Sequence, residues 1–203
     1  LNYLANSVKI FKDEWEKYNE LGEVSQISEY YKMIGNELPW PRGMGTPPQK
    51  QNRWQSTDFL KDGDVIKFNE WNIEAVFLPG HTSGHLIFVD KVKKVIFLGD
   101  LIVTGTNYIH LKDSSLKSYI KSLKKLVNLV ESFGRDTLLL PCHDQIPLSS
   151  DYPKLLLETF GKIKAGDISP IKTVPANNVF EESLLFDTGQ VRINIRKDQI
   201  EEL

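Results

Sequence analysis

The sequence predicts a layered α/β domain, and three short apolar runs predict it. These runs lie at residues 72–77, 95–98 and 138–140. They are rich in Val, Ile, Leu and Phe, which favour β-strands. Each is followed by a turn with a side chain able to bind a metal, namely His81, Asp100 and His143. Segments with helical periodicity alternate with strand segments, which is typical of α/β layering.

Residues 59–98 predict consecutive strands. The turn Asp62-Gly63-Asp64 precedes an apolar run at 65–68. A run at 86–89 follows the two histidines, and a run at 92–98 pairs with it across Asp90-Lys91. Turns this short favour neighbouring strands in one sheet.

Helices and a hairpin are predicted in the second half of the chain. Asp113 or Ser114 caps an amphipathic helix. Its apolar positions recur at three- and four-residue spacing: Leu116, Tyr119, Ile120, Leu123, Leu126, Val127 and Val130. A second helix opens at 149–151 and ends near Ala165-Gly166. Runs at 184–186 and 191–195 flank a turn at 187–189 and predict a hairpin.

Residues 25–34 predict a short helix with Ser25 or Ser28 as its cap. A Pro- and Gly-rich loop spans 35–56, because Pro removes backbone donors and Gly permits positive φ. It carries Trp40 and Met44, which are costly to leave in water. These two side chains either line an apolar pocket or pin the loop to the body of the domain, and the length of the loop favours a binding role.

Length and composition bound the class of protein. The 203 residues suit a single domain spanning 1–203. A net charge of −2 gives no electrostatic case for nucleic acid or an anionic membrane, and no apolar stretch is long enough to span a bilayer. One cysteine excludes an internal disulfide and fits a reducing compartment, so a cytoplasmic location is expected.

The ordered turns resemble those of the metallo-β-lactamase-fold hydrolases. That family carries, in order, HxHxDH, PGHT, GD and a final PGH-like motif. Residues 79–82 match PGHT, 99–100 match GD, and 141–143 match the last motif with Cys where Gly is usual. HxHxDH is absent. The resemblance covers roughly 1–165 and implies an αββα sandwich, with this chain as its C-terminal part and the other ligands in a missing N-terminal part.

The resemblance also implies a set of site residues. His81, Asp100 and His143 would bind two divalent metal ions, with Asp100 bridging them; zinc is favoured, and iron or manganese are the alternatives. His85 joins Asp100 in the catalytic set as a residue that orients a ligand. Cys142 is interpreted as a small buried residue, with a soft ligand or a redox-sensitive thiol as the alternative.

Two further residues lie in the segment after Asp100. His110 is interpreted as a surface histidine. Tyr108 close to it is a weaker candidate for polarising a substrate oxygen.

The implied activity is attack by a metal-bridging hydroxide on an ester, thioester or lactone of a small-molecule substrate. Val103 and Gln145 depart from the residues usual in the lactonase and glyoxalase II branches, which weakens both assignments. An iron-dependent oxidoreductase of the same fold is one alternative, and a non-catalytic module without the first ligand triad is another. A homo-oligomer is left open.

Overall fold

Strands in two sheets organise the part of the chain that the computed structural model describes, residues 59–177 and 180–203. In chain order the strands are β1 Val65–Phe68, β2 Trp71–Phe77, β3 Leu86–Asp90, β4 Val95–Gly99, β5 Thr106–Ile109, β6 Leu138–Pro141, β7 Lys172–Val174, β8 Ser183–Asp187 and β9 Arg192–Arg196. Helix α1 spans Leu116–Phe133, helix α2 spans Tyr152–Ala165, and a 3-10 helix spans Lys197–Glu202. The predicted mixed α/β architecture is confirmed.

The first sheet has the strand order β1-β2-β3-β4-β6. Strands β1 to β4 pair antiparallel, each with the next, whereas β4 and β6 pair in parallel. Phe97 lies opposite Leu140, and Gly99 lies opposite Pro141 after a register shift. Because parallel strands end at the same edge of a sheet, the residues that follow β4 and β6 emerge side by side.

The second sheet has the order β5-β9-β8-β7. Strand β5 runs parallel to β9, and the other two pairs are antiparallel. The two sheets and both helices contribute to one hydrophobic cluster, with Ile87 and Ile96 from the first sheet and Ile193 and Ile195 from the second. This shared core fixes the strand ends that carry the site.

Helix α1 packs its apolar stripe into that cluster, as its periodicity predicts. Ser115 is its N-cap, and the Ser115 side chain accepts a hydrogen bond from the Ser118 backbone N–H. The predicted caps Asp113 and Ser114 are therefore one or two residues too early. The Tyr119 hydroxyl donates to the Leu101 carbonyl oxygen at 2.6 Å, which satisfies the polar end of a fully buried ring.

Sequence and structure differ at several short elements. Strand β4 begins at Val95 rather than at 92, because the Asp90 carboxylate accepts from the backbone N–H groups of Val92 and Lys93 and holds them in a turn. Strands β5 and β7 and the 3-10 helix were not predicted. The helix predicted at 25–34, and the loop at 35–56 with Trp40 and Met44, lie outside the described residues. The single domain over 1–203 stays a prediction.

Among the described residues, none of the helices is both long and apolar enough to cross a membrane.

Candidate metal centre

The turn between β2 and β3, residues 79–85 and here called the histidine turn, is held tightly against α1. The Ser115 backbone N–H donates to the Gly80 carbonyl oxygen at 2.9 Å, and the Ser122 hydroxyl donates to that of Pro79 at 2.7 Å. Gly80 has φ of 141°, and a Cβ there would overlap the Cα of Tyr119. Only glycine fits, so the Pro-Gly pair lets the backbone of the turn touch the helix.

His81 is fixed at both its backbone and its ring. The Ser114 hydroxyl donates to the His81 carbonyl oxygen at 2.6 Å. The ring Nδ1 lies 2.7 Å from the carbonyl oxygen of Tyr108. That carbonyl can only accept, so Nδ1 carries the proton and Nε2 keeps the lone pair that a metal requires.

Asp100, Cys142 and His143 form a second group, here called the strand-end cluster, where β4 and β6 end. Each offers a ligand atom, and these atoms all lie within 4.8 Å of one another. Asp100 Oδ1 lies 3.1 Å from His143 Nε2 and also accepts a hydrogen bond from the Cys142 thiol. All three residues are exposed, so an ion can reach them from solvent.

Asp144 orients His143. Its Oδ2 lies 3.0 Å from His143 Nδ1 and accepts from the Gly105 backbone N–H, also at 3.0 Å. A Cβ on Gly105 would overlap that oxygen, and Asp144 itself adopts a left-handed φ of 66°. A left-handed φ is uncommon for residues other than glycine, although aspartate adopts it more readily than most. The contacts keep a proton on Nδ1 and leave Nε2 to face Asp100.

His85 lies beneath the strand-end cluster as a neutral ring. It is 8% exposed, its Nδ1 has no hydrogen-bond partner among the described residues, and its Nε2 lies 3.1 Å from where a Cβ on Gly99 would be. Burial and then the nearby His81 lower the pKa of His85 to about 4, against a smaller opposing effect of Asp100. The ring therefore adds no positive charge near the candidate ligands at neutral pH.

His110 is buried, not a surface residue, so that prediction is wrong. It is 4% exposed, and its ring lies between Phe180 and Tyr108, with centroids 4.3 Å and 4.9 Å away. Burial and then His81 lower the pKa of His110 to about 4. The burial of His110 depends on strand β5, which precedes it, and on the distant Phe180. The residues around His110 carry no pattern that indicates either contact.

The structure brings together some of the predicted ligands. Asp100 and His143 meet, but His81 does not belong to the strand-end cluster. Cys142 belongs to it instead. The prediction that Cys142 is buried is wrong, since its side chain is exposed. Partial desolvation of the thiol, and then its hydrogen bond to Asp100, raise the pKa of Cys142 to about 12.

Asp144 and Gly105 are not in the predicted set of site residues. They are 39 positions apart in sequence, and nothing local in the sequence links them. The only signal was the adjacency of Asp144 to His143, because an acidic neighbour is a common partner for a ligand histidine.

The strand-end cluster fits a divalent transition metal. Carboxylate, thiolate and imidazole are the donors that zinc takes in proteins. Ligand atoms around a tetrahedral zinc lie roughly 3.3–3.6 Å apart, given its usual bond lengths. The observed 3.1 Å between Asp100 Oδ1 and His143 Nε2 is near that spacing.

Comparison with known proteins identifies the family of this chain. A family model described as the metallo-beta-lactamase superfamily matches residues 17–134. The acyl-coenzyme A thioesterase MBLAC2 of Homo sapiens is 33% identical over 89 residues, which are 44% of this chain and 32% of that protein. The hydroxyacylglutathione hydrolase GloC of Haemophilus influenzae is 41% identical over 54 residues, covering 27% of this chain and 24% of that protein. These matches span about a third or less of either relative.

A solved structure shows the same fold. The metallo-beta-lactamase family protein from Thermus thermophilus superposes with a TM-score of 0.52 at 19% identity. The superposition covers 78% of this chain and 54% of that one.

Proposed function

The chain belongs to the metallo-beta-lactamase superfamily, and from that premise we propose that it acts as a metal-dependent hydrolase of thioesters. The strand-end cluster would hold the metal through Asp100 and His143. His81, with its Nε2 free, is the further ligand proposed from the histidine turn. The substrate is proposed to be a small molecule. The ligand atoms lie at solvent-exposed strand ends, where such a molecule can reach them.

One observation carries the proposal. Asp100 Oδ1 and His143 Nε2 lie 3.1 Å apart, although 43 positions separate the residues in sequence. They meet because β4 and β6 are parallel neighbours that end at the same edge of the sheet. A carboxylate and an imidazole brought together by the sheet offer donor types that divalent transition metals take in proteins, and this supports the proposal.

The chain's own residues prepare the site in three ways. When bound, a divalent cation supplies Lewis acidity and a hydroxide nucleophile at neutral pH. Asp144 keeps the proton on His143 Nδ1, so that Nε2 stays a donor atom. The negative charge of Asp100 offsets that of the cation. The neutral His85 ring supports Gly99 without adding a positive charge.

Thioesters are the substrate class that the named relatives share. An acyl-coenzyme A thioesterase and a hydroxyacylglutathione hydrolase both cleave a carbon–sulfur acyl bond, as their names state. Their thiol portions differ, so the shared part is the thioester carbonyl. The proposal for this chain is therefore made at the level of that bond.

A substrate panel with metal analysis tests the proposal. The purified chain, loaded with zinc, manganese or iron, is assayed with an acyl-coenzyme A, an S-acylglutathione and an oxygen ester of the same acyl group. We expect at least one thioester to be hydrolysed faster than the oxygen ester, with the activity abolished by a chelator and restored by metal. Thioester hydrolysis that survives complete metal removal, or failure to bind metal at all, would reject the proposal.

A further inference from the structure

We propose that Cys142 is a third protein ligand of the metal held by Asp100 and His143, binding it as a thiolate. The inference rests on the proposed metal site but goes beyond it. It replaces a site built from oxygen and nitrogen alone with one that also offers sulfur, which favours thiophilic cations such as zinc and cadmium.

The backbone fixes Cys142 in a ligand position. Its N–H donates to the Gly99 carbonyl oxygen at 3.1 Å, which continues the contact between β4 and β6 beyond their paired residues. Cys142 is thereby held beside the residue that precedes Asp100. Its placement comes from the sheet and not from a flexible loop.

The thiol points at the ligand atoms. Cys142 Sγ contacts Asp100 Oδ1, the same oxygen that lies 3.1 Å from His143 Nε2. Three different donor types therefore converge on one spot within 4.8 Å, at an exposed place. The Cys142 thiol and the His143 imidazole therefore approach the same carboxylate oxygen of Asp100.

A buried histidine, His85, packs against the backbone beneath the strand-end cluster. His85 is 8% exposed, its Nδ1 has no hydrogen-bond partner among the described residues, and its Nε2 edge abuts Gly99, which precedes Asp100 and binds the Cys142 backbone. The ring thus packs against the short backbone segment that carries Asp100 and accepts the hydrogen bond from Cys142 N–H.

Binding of a metal ion by Cys142 needs no further reactant. On metal binding, the S–H bond of Cys142 breaks, a metal–sulfur bond forms, and the proton passes to solvent. No oxidation state changes. Thiols that coordinate a divalent cation are deprotonated, so each bound ion releases one more proton from this chain than from a chain without the thiol.

Cobalt titration tests the inference by spectroscopy, independently of turnover. Cys142 is the only cysteine of the chain, so every thiol signal belongs to it. The purified chain is titrated with Co²⁺ and followed for thiolate-to-cobalt charge-transfer absorption. In parallel, the rate at which a disulfide reagent modifies the thiol is measured with and without Zn²⁺. The matched variants are Cys142→Ser and Cys142→Ala, with thermal melting as the check on folding.

We expect the absorption band in the native chain and its loss in both variants, and thiol modification slowed at least roughly tenfold by Zn²⁺. Affinity for Cd²⁺ should fall by at least roughly tenfold in the variants, because loss of a direct ligand costs at least as much as loss of a contact that orients one. Stoichiometric Co²⁺ binding without the band, and with an unprotected thiol, would overturn the inference and leave the proposed function standing. No metal binding in the native chain would reject both.

Discussion

The strand-end cluster and the histidine turn are both rich in metal-competent side chains, yet the structure treats them differently. Asp100, Cys142 and His143 are exposed, and their ligand atoms converge. In the histidine turn, His85 is buried and His81 has one ring nitrogen committed to a backbone carbonyl. The first region therefore gathers three donor atoms at an exposed place, whereas the second offers one, His81 Nε2, beside the buried ring of His85.

The difference follows from what surrounds each region. The strand-end cluster lies just past the ends of two parallel strands, where side chains emerge together at the edge of the sheet. The histidine turn lies against α1, where a close backbone approach excludes water. Exposure lets a carboxylate and a thiol meet a cation, whereas burial keeps an imidazole neutral.

The largest effect on stability is expected when the contact between the histidine turn and α1 is broken. In Gly80→Ala the new Cβ would overlap the backbone of α1 at Tyr119, and a positive φ would be imposed on alanine. We expect the free energy of unfolding to fall by roughly 3–5 kcal/mol, from overpacking together with backbone strain. Chemical denaturation measures it.

Gly161→Ala is the matched control for that experiment. Gly161 lies inside α2, is exposed, and has no atom within 4 Å of its missing Cβ. Alanine there should stabilise the chain by about 0.5–1 kcal/mol. Equal effects of the two substitutions would show that the histidine turn does not depend on its contact with α1.

Removing the shared carboxylate should abolish function without unfolding the chain. We expect Asp100→Ala to lower thioester hydrolysis by more than ~10²-fold, because one residue serves both the metal and its nucleophile. Since Asp100 is exposed, the free energy of unfolding should change by less than about 0.5 kcal/mol. The control is Asp136→Ala. Asp136 is an exposed aspartate just before β6 begins, at the end of that strand remote from the strand-end cluster. Near-normal turnover in Asp100→Ala would contradict the assignment.

The residue that orients His143 should have an intermediate effect. Asp144→Asn weakens the hold on the His143 Nδ1 proton, so metal affinity should fall by roughly 10- to 100-fold. Gly105→Ala should act in the same direction, because its Cβ would collide with the Asp144 carboxylate. Calorimetric titration with Zn²⁺ measures both. Unchanged affinity in both variants would mean that the contact is incidental.

A further prediction concerns pH and the buried ring of His85, whose effect is spread over a range of pH. The pKa of His85 is lowered to about 4 in the folded chain, below its ordinary value of 6.5. The stability contributed by the neutral ring is therefore complete above pH 6.5 and is lost as the pH falls towards 4. We expect a slope of up to about 1.4 kcal/mol per pH unit in that window from this group.

His85→Asn should remove that part of the slope, measured by denaturation of the metal-free chain. His110, whose pKa is also lowered to about 4 by burial, should contribute a second part that remains in the variant. An unchanged slope in His85→Asn would show that this ring is not buried as described. His85→Ala should also reduce activity less than Asp100→Ala does, as expected for a supporting residue.

The sequence predicted what is periodic or local. Strands β1, β2, β3 and β6 and both helices follow from apolar runs and caps, and Gly166 ends α2 at a left-handed φ of 80° as expected. Asp100 and His143 could be named because each follows a strand at a Gly- or Pro-bearing turn. The family resemblance linked them in order, and the family comparison confirms that resemblance.

The sequence could not supply what depends on distant contacts. The burial of His110 results from packing against Phe180, 70 positions away. The role of Asp144 depends on the absent side chain of Gly105, and that of Cys142 on a hydrogen bond to Gly99. Strand β5 reads Thr-Asn-Tyr-Ile, too short and polar to be recognised without its partner β9.

A crystal structure of the zinc-soaked chain, with anomalous scattering recorded at the zinc edge, would locate the bound metal. We expect an anomalous peak about 2.0–2.3 Å from Asp100 Oδ1 and His143 Nε2, the usual range of zinc–ligand bonds. A peak held only by His81 or other residues of the histidine turn, with the strand-end cluster vacant at saturating zinc, would contradict this expectation.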